Sequence, residues 1–193
     1  MKSIYFSGVI LICTVFTSNA QEKLPFYEIP EAAEAYTAGA VVSRMVDGLG
    51  FRFYWATEGL REEDLLYKPS EEARTSLETI KHIYGLTNVI LNSVIKEENT
   101  GEPLPEMSFP ELRKKTLINL EKASSVLRHS TDISEFKIIF ERGDRSSEFP
   151  FWNQINGPIS DALWHVGQIV SFRRSSGNPY NSKASLFSGK VRE

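Results

Sequence analysis

Apolar residues recur at helical spacing in four stretches of the chain, and turn-forming residues separate these stretches. The stretches cover about 31–60, 80–94, 112–127 and 151–175. Each has polar residues on its remaining faces, as expected of helices that bury only one side. The pattern therefore predicts an all-α fold, and four amphipathic helices with long connections are typical of a four-helix bundle.

Local signals mark where the second and third helices begin. Thr75 and Glu78 have the spacing of a capping box, in which each side chain binds the backbone N–H of the other residue. Ser108, followed by Pro110 and Glu111, has the same spacing and adds an early proline. We therefore expect these two helices to start directly after Thr75 and Ser108.

The segment between the third and fourth helices has a different pattern. Residues 131–149 place β-branched and aromatic side chains on both sides of a charged turn with glycine, which predicts a short two-stranded excursion. The fourth helix is expected to bend or restart at 156–158 and to stop at 177–179. The tail that follows is expected to lie over the bundle, with Phe187 as its anchor.

The first 20 residues have the pattern of a secretory signal peptide. Lys2 is followed by the apolar run 4–16, and Ser-Asn-Ala precedes Gln21 as a cleavage site of small residues. Cleavage near Ala20 leaves a single domain, 21–193, in the periplasm or outside the cell. The apolar run is too short for a membrane span and no later run is long enough, so we expect no spanning segment.

Net charge and cysteine content limit the partners and the metal ligands that we expect for this chain. Removal of Lys2 changes the formal net charge from −3 to −4, so no basic field favours nucleic acid or a membrane surface as partner. Cys13 is the only cysteine and lies in the predicted signal peptide. The remaining chain has no thiolate to offer, so a metal must be held by His, Asp, Glu or a neutral oxygen.

The fourth predicted helix carries Asp161, His165 and Gln168 along one side. Residues four apart lie one turn apart on the same face, so Asp161 and His165 can reach one point, and Gln168 follows one turn later. Such groups are costly to bury unless they are paired or bound to a ligand. This is metal-ligand spacing, although an exposed pair or a hydrogen-bonded core histidine produces the same pattern.

Two further histidines lie outside the fourth helix. His129 is about 180° around the third helix from Leu120, at 100° per residue, which predicts a surface position. His82 stands beside Ile83, on or near the apolar stripe of the second helix. Two interpretations of His82 are open: a core histidine with its own hydrogen-bond partner, or a metal ligand that meets the acid and histidine of the fourth helix.

The segments TSLETIKHIYGL (75–86) and DALWHVGQI (161–169) resemble the DinB-like, or YfiT-like, superfamily of bacterial four-helix bundles. Its members typically carry one metal-binding His on the second helix and a H-x-x-x-H pair followed by Gly-Gln on the last. By this resemblance His82 matches the second-helix ligand, and His165 matches the second His of the pair. Asp161 stands in place of the first His, which departs from the family pattern.

The resemblance implies a metal centre formed by His82, Asp161 and His165 in the bundle core. Two histidines and one carboxylate are an established set for zinc, and nickel, iron or manganese are alternatives. A divalent ion with an open position can polarise a substrate oxygen or activate water. Glu78, one turn before His82, is a candidate general base or extra ligand as well as a capping acid. Gln168 is a candidate for orienting a ligand or water.

These observations predict an exported metal-dependent enzyme, a hydrolase or transferase acting on an unknown small molecule. Relatives in the superfamily include transferases and isomerases that use small thiols, but such thiols are chiefly cytosolic, and the export signal argues against a simple transfer of that role. The competing prediction is a non-catalytic protein that binds a metal or small molecule, or a metal-free bundle in which Asp161 hydrogen-bonds His82 or His165. A homodimer is compatible with the family and is not decided by the sequence.

Overall fold

A computed structural model describes residues 23–193, and the predicted signal peptide lies outside this range. The described chain is mostly helical, as predicted. Its helices are, in chain order, α1 (Ala38–Thr57), α2 (Glu62–Leu66), α3 (Ser76–Ile95), α4 (Phe109–Arg128), α5 (Trp152–Gln154) and α6 (Ser160–Ser175). None of the helices within residues 23–193 has the length and apolar content that a membrane crossing requires.

Two small antiparallel strand pairs accompany the helices. Strands β1 (Lys137–Arg142) and β2 (Arg145–Pro150) form a hairpin between α4 and α5, with Lys137 opposite Pro150. This hairpin confirms the predicted excursion between the third and fourth long helices. Strands β3 (Ala184–Ser185) and β4 (Lys190–Val191) form a second, shorter pair in the tail.

The long helices pack side by side around a shared apolar core. Helix α4 contacts α1 and α3, and α6 contacts the same two helices, so each long helix has two long neighbours. Burying one large aliphatic or aromatic side chain contributes about 1.5–3 kcal/mol, which makes this core the main source of stability. Its fully buried members include Val46, Leu49, Phe53, Ile80, Ile83, Leu117, Leu120 and Ile169.

Glu78 and Glu111 form the two capping boxes that the sequence predicts. The Thr75 backbone N–H donates to Glu78 Oε2 at 2.7 Å, and the Glu78 N–H donates to Thr75 Oγ1 at 3.1 Å. At the start of α4 the Ser108 backbone N–H donates to Glu111 Oε2 at 2.9 Å. These contacts satisfy backbone groups that a helix start otherwise leaves unpaired.

Helix α1 begins later than the sequence predicts. It starts at Ala38 rather than near residue 31, because Thr37 is its N-cap and accepts a hydrogen bond from Ala40 N at 3.1 Å. The preceding segment is not helical, and the Glu31 carbonyl accepts a hydrogen bond from the Arg128 guanidinium of α4 at 2.7 Å. This carbonyl therefore accepts a tertiary hydrogen bond instead of a hydrogen bond within a helical turn.

The chain enters α6 through a π-helical turn, Ile155–Ile159, which contains Pro158 and lies where the sequence predicts a bend or a restart. Proline has no backbone N–H, and a turn with one extra residue accommodates that loss within a continuous helical path. Ahead of the turn, the fully buried Gln154 side chain donates its amide N–H to the Val89 carbonyl of α3 at 2.8 Å. This bond fixes the start of the last helix against α3.

The tail is anchored differently from the prediction. The expectation that Phe187 holds it is wrong, because this ring is fully exposed at the tip of the β3–β4 pair. The buried residue is Ala184, which packs with Ile29 and Trp55. Gly189, with φ of 68°, closes the tip and accepts a hydrogen bond from Ile29 N at 2.8 Å, so the turn itself lies against the protein and Phe187 projects outward.

Arg173 connects the ends of two long helices. Its side chain is 2% exposed, and its Nη1 donates to the carbonyls of Trp55, Ala56 and Glu58 at 3.0, 2.9 and 3.0 Å. These carbonyls belong to the C-terminal end of α1, where they lack helical partners. Burial lowers the pKa of Arg173 from its ordinary value, while Asp64 and Glu58 oppose that change.

Candidate metal centre

The contact between α3 and α6 brings three candidate metal ligands together. His82 Nε2 of α3 lies 3.2 Å from Asp161 Oδ2, and His165 Nε2 lies 3.2 Å from Asp161 Oδ1. One ligand atom from each residue can be chosen so that all three lie within 4.8 Å of one another. The cluster could therefore hold a metal ion, as the sequence predicts.

The two imidazoles approach different oxygens of the Asp161 carboxylate. Both imidazole-to-carboxylate distances are 3.2 Å, and the two rings are nearly perpendicular, with an interplanar angle of 88° and centroids 4.6 Å apart. The rings thus approach the carboxylate of Asp161 from two directions.

The cluster lies at the edge of the helical core, whereas the family resemblance implied a position inside the core. The exposed fractions of the side chains are 33% for His82, 39% for Asp161 and 15% for His165. The buried positions belong to their neighbours Ile83 and Ala162, which are both 0% exposed. Because the ligands stand one residue away from these core positions, they face the open side of the α3–α6 contact and remain accessible to small molecules.

Gln168 orients the ring of His165. Its Oε1 lies 2.8 Å from His165 Nδ1, and an amide oxygen can only accept, so Nδ1 carries the proton. In the neutral ring the other nitrogen, Nε2, has a lone pair, and this nitrogen lies 3.2 Å from Asp161 Oδ1. Two acceptors at this distance repel each other unless a proton or a metal ion lies between them. The hydrogen bond of Gln168 therefore prepares His165 to bind a cation through Nε2.

Replacing Gln168 with alanine is expected to weaken zinc binding about 10–100-fold, because the ring of His165 loses the partner that fixes its tautomer and orientation. Zinc affinity is measured by competition with a chromophoric chelator. The matched variant Gln168→Glu retains an acceptor for Nδ1 and should bind zinc at least as well as the native protein. Equal affinities of Gln168→Ala and the native protein would contradict the orienting role.

The structure places Glu78 at the start of α3 and not among the three clustered residues. Its carboxylate is engaged with the backbone and hydroxyl of Thr75, and these hydrogen bonds lower the pKa of the Glu78 carboxyl. A carboxylate with a lowered pKa is a weaker proton acceptor near neutral pH. The capping role that the sequence indicated is therefore confirmed, and the catalytic role stays a prediction.

His129 and Gln154 both lie outside the cluster of His82, Asp161 and His165. His129 is exposed, as predicted, and its Nδ1 lies 2.8 Å from the Ser125 carbonyl of its own helix. Gln154 is the residue that the sequence did not indicate: it joins α3 to the start of the last helix and so helps to place His82 beside Asp161. A single glutamine ahead of an Asn-Gly-Pro turn carries no sequence signal for such a contact.

Comparison with known proteins does not assign the chain to a family. No family model, no curated protein and no solved structure matches the chain.

Proposed function

We propose that the protein is an exported metal-dependent enzyme built on a DinB-like four-helix bundle, and that it acts on a small molecule by hydrolase- or transferase-type chemistry. One observation carries the proposal: two helices distant in the chain place His82, Asp161 and His165 with their ligand atoms within 4.8 Å of one another. The export part of the proposal rests on the signal-peptide pattern of residues 1–20.

The donor set favours zinc. Two imidazole nitrogens and one carboxylate oxygen are a common catalytic zinc set, and they leave a coordination position for a fourth ligand. Nickel, iron and manganese accept the same donors and are the alternatives. A divalent ion supplies Lewis-acid chemistry when bound. The partial exposure of His82 and Asp161 provides the access that a substrate needs.

The carboxylate of Asp161 suits a cation site even though it departs from the family pattern. It contacts both imidazoles, so it is the central donor of the cluster. Compared with a neutral imidazole at this position, it adds one negative charge, which attracts a divalent cation. Gln168 complements it by holding the His165 tautomer that leaves Nε2 free.

Metal content is the first test of the proposal. The protein is stripped with a chelator, dialysed against Zn, Ni, Mn or Fe(II), and its bound metal is measured by elemental analysis. We expect one ion per chain, with zinc bound most tightly, and almost none in His82→Ala. The matched variant His129→Ala removes an exposed histidine outside the cluster and should bind metal normally. Metal content in the native protein no higher than in His82→Ala would contradict the proposal.

A second candidate function is a metal-free or non-catalytic binding protein. The observation that favours it is that Asp161 stands 3.2 Å from both histidines, so a proton between Asp161 and His165 Nε2 would let the three residues satisfy one another without an ion. Activity separates the two candidates. A metal-dependent enzyme loses turnover of small esters, amides or thiol-transfer substrates on chelation and regains it with metal. A protein that binds metal stoichiometrically but shows no metal-dependent turnover in such a panel supports the second candidate.

A further inference from the structure

A groove on the opposite face of α6 is separate from the metal cluster. It has a volume of about 500 Å³ and lies between α1, α6 and the tail. Val170, in the groove, follows Asp161 by nine residues, which places the two about 180° apart around the helix at 100° per residue. The groove is therefore a second feature of α6 that the metal centre does not use.

The groove combines an apolar floor with positive charge. The floor consists of Leu163, Val166 and Val170 of α6 together with Leu186 of the tail. Arg52 and Arg174 lie along it, and none of the described residues that line it is acidic. Within residues 23–193 neither guanidinium forms an ion pair: Arg52 donates to the Gly48 carbonyl, and Arg174 lies 5.6 Å from the ring centroid of Tyr180. Two arginines without a carboxylate partner favour an anion.

Gly167 gives a second, independent indication of an occupant. It lies in the interior of α6 and lines the groove, although glycine is a poorer helix former than alanine. A Cβ added at this position would meet no atom within 4 Å, so packing inside the protein does not require a glycine here. An added side chain would instead enter the groove. Gly167 therefore leaves open space beside the helix on the side of the groove.

We propose that this groove binds a small amphiphilic anion, with its apolar part along α6 next to Gly167 and its anionic group paired with Arg52 and Arg174. The volume lies within the range of small-molecule sites, and the mixture of apolar walls with a few convergent polar groups is typical of them. A second copy of this chain is a poorer occupant, because symmetric pairing of this face brings arginines towards arginines.

The test is a calorimetric titration with dodecanoate below its micelle concentration, and with dodecyltrimethylammonium as a probe of equal chain length and opposite charge. We expect dodecanoate to bind one per chain and the cation to bind at least about tenfold more weakly. The double variant Arg52→Gln/Arg174→Gln should lose about tenfold or more in dodecanoate affinity, whereas Arg145→Gln, in the exposed hairpin, should lose none. Equal binding of the two probes overturns the proposal.

Gly167→Leu tests the space above the helix. Because its Cβ meets open space, this variant is expected to fold normally by circular dichroism and to lose at least about tenfold in dodecanoate affinity. Lys122→Leu places an exposed leucine on α4 as a matched control and should bind normally, as should His82→Ala. Unchanged affinity in folded Gly167→Leu overturns the proposal. A native dimer in light scattering that Gly167→Leu converts to a monomer also overturns it, since the occupant is then a second copy.

Discussion

Asp161→Ala is expected to lower zinc affinity at least about 1000-fold while leaving the helical content unchanged. Removing a group that only orients a ligand costs about 10–100-fold, and removal of a ligand should cost more. Asp161 is also the residue that contacts both imidazoles, at 3.2 Å each, so the variant leaves two separate neutral donors. Its side chain is 39% exposed, so little packing is lost. Chelator competition gives the affinity, and circular dichroism gives the helical content.

The variants Asp161→Asn and Asp161→His separate charge from ligation. Asparagine retains the shape of the side chain but loses its charge, and it should bind zinc far more weakly than the native protein. Histidine restores the residue type that the family resemblance expects at this position, and it should keep zinc affinity within about tenfold of the native value. Native-like zinc binding by Asp161→Ala would show that the ion lies elsewhere.

Arg173→Met is expected to reduce the free energy of unfolding by about 3–5 kcal/mol. Methionine retains apolar length but donates no hydrogen bond. The carbonyls of Trp55, Ala56 and Glu58 therefore lose their guanidinium donor. An unsatisfied buried polar group costs about 1–3 kcal/mol, and several such groups are affected. Urea unfolding followed by circular dichroism measures the loss.

Arg174→Met is the matched control for this prediction, because the neighbouring arginine is exposed and makes no comparable set of bonds. Its effect should stay within about 0.5 kcal/mol. Arg173→Lys should recover only part of the loss, since a single ammonium replaces a planar group with five donors. Equal losses of unfolding free energy in Arg173→Met and Arg174→Met would mean that water satisfies the carbonyls at the end of α1 as well as the Arg173 guanidinium does.

The features of the fold that the sequence predicts are local ones. The acids Glu78 and Glu111 bind groups only three residues away, so their spacing alone indicates where α3 and α4 begin. The β1–β2 hairpin and the π-helical turn around Pro158 also arise from short stretches of sequence. In each of these cases the contacts and the pattern lie within the same few residues.

The incorrect predictions concern residues whose partners are distant in the chain. The start of α1 depends partly on Arg128, which binds the Glu31 carbonyl 97 residues away. The tail is held by Ala184 and the close approach of Gly189 to Ile29, while the larger Phe187 remains exposed. Side-chain size indicates how much burial would stabilise a contact, but it does not indicate whether the backbone turns that side chain inward.

The same distinction between local and distant contacts applies to the candidate site. The spacing of Asp161 and His165 on one helix predicts that they share a point, and the structure agrees. His82 lies 79 residues from Asp161, so the local pattern left two interpretations of it open, and the family resemblance favoured the metal ligand. The partial exposure of the cluster follows from the rotation of α3 and α6 about their axes, which apolar periodicity determines only approximately.

The π-helical turn before α6 lies between the β1–β2 hairpin and the last helix. Gln154 fixes the upstream end of the turn to α3, and Ile159 is buried at its downstream end. Because both ends of the turn are held, we expect sequence changes confined to the β1–β2 hairpin to leave Asp161 and His165 directed at α3.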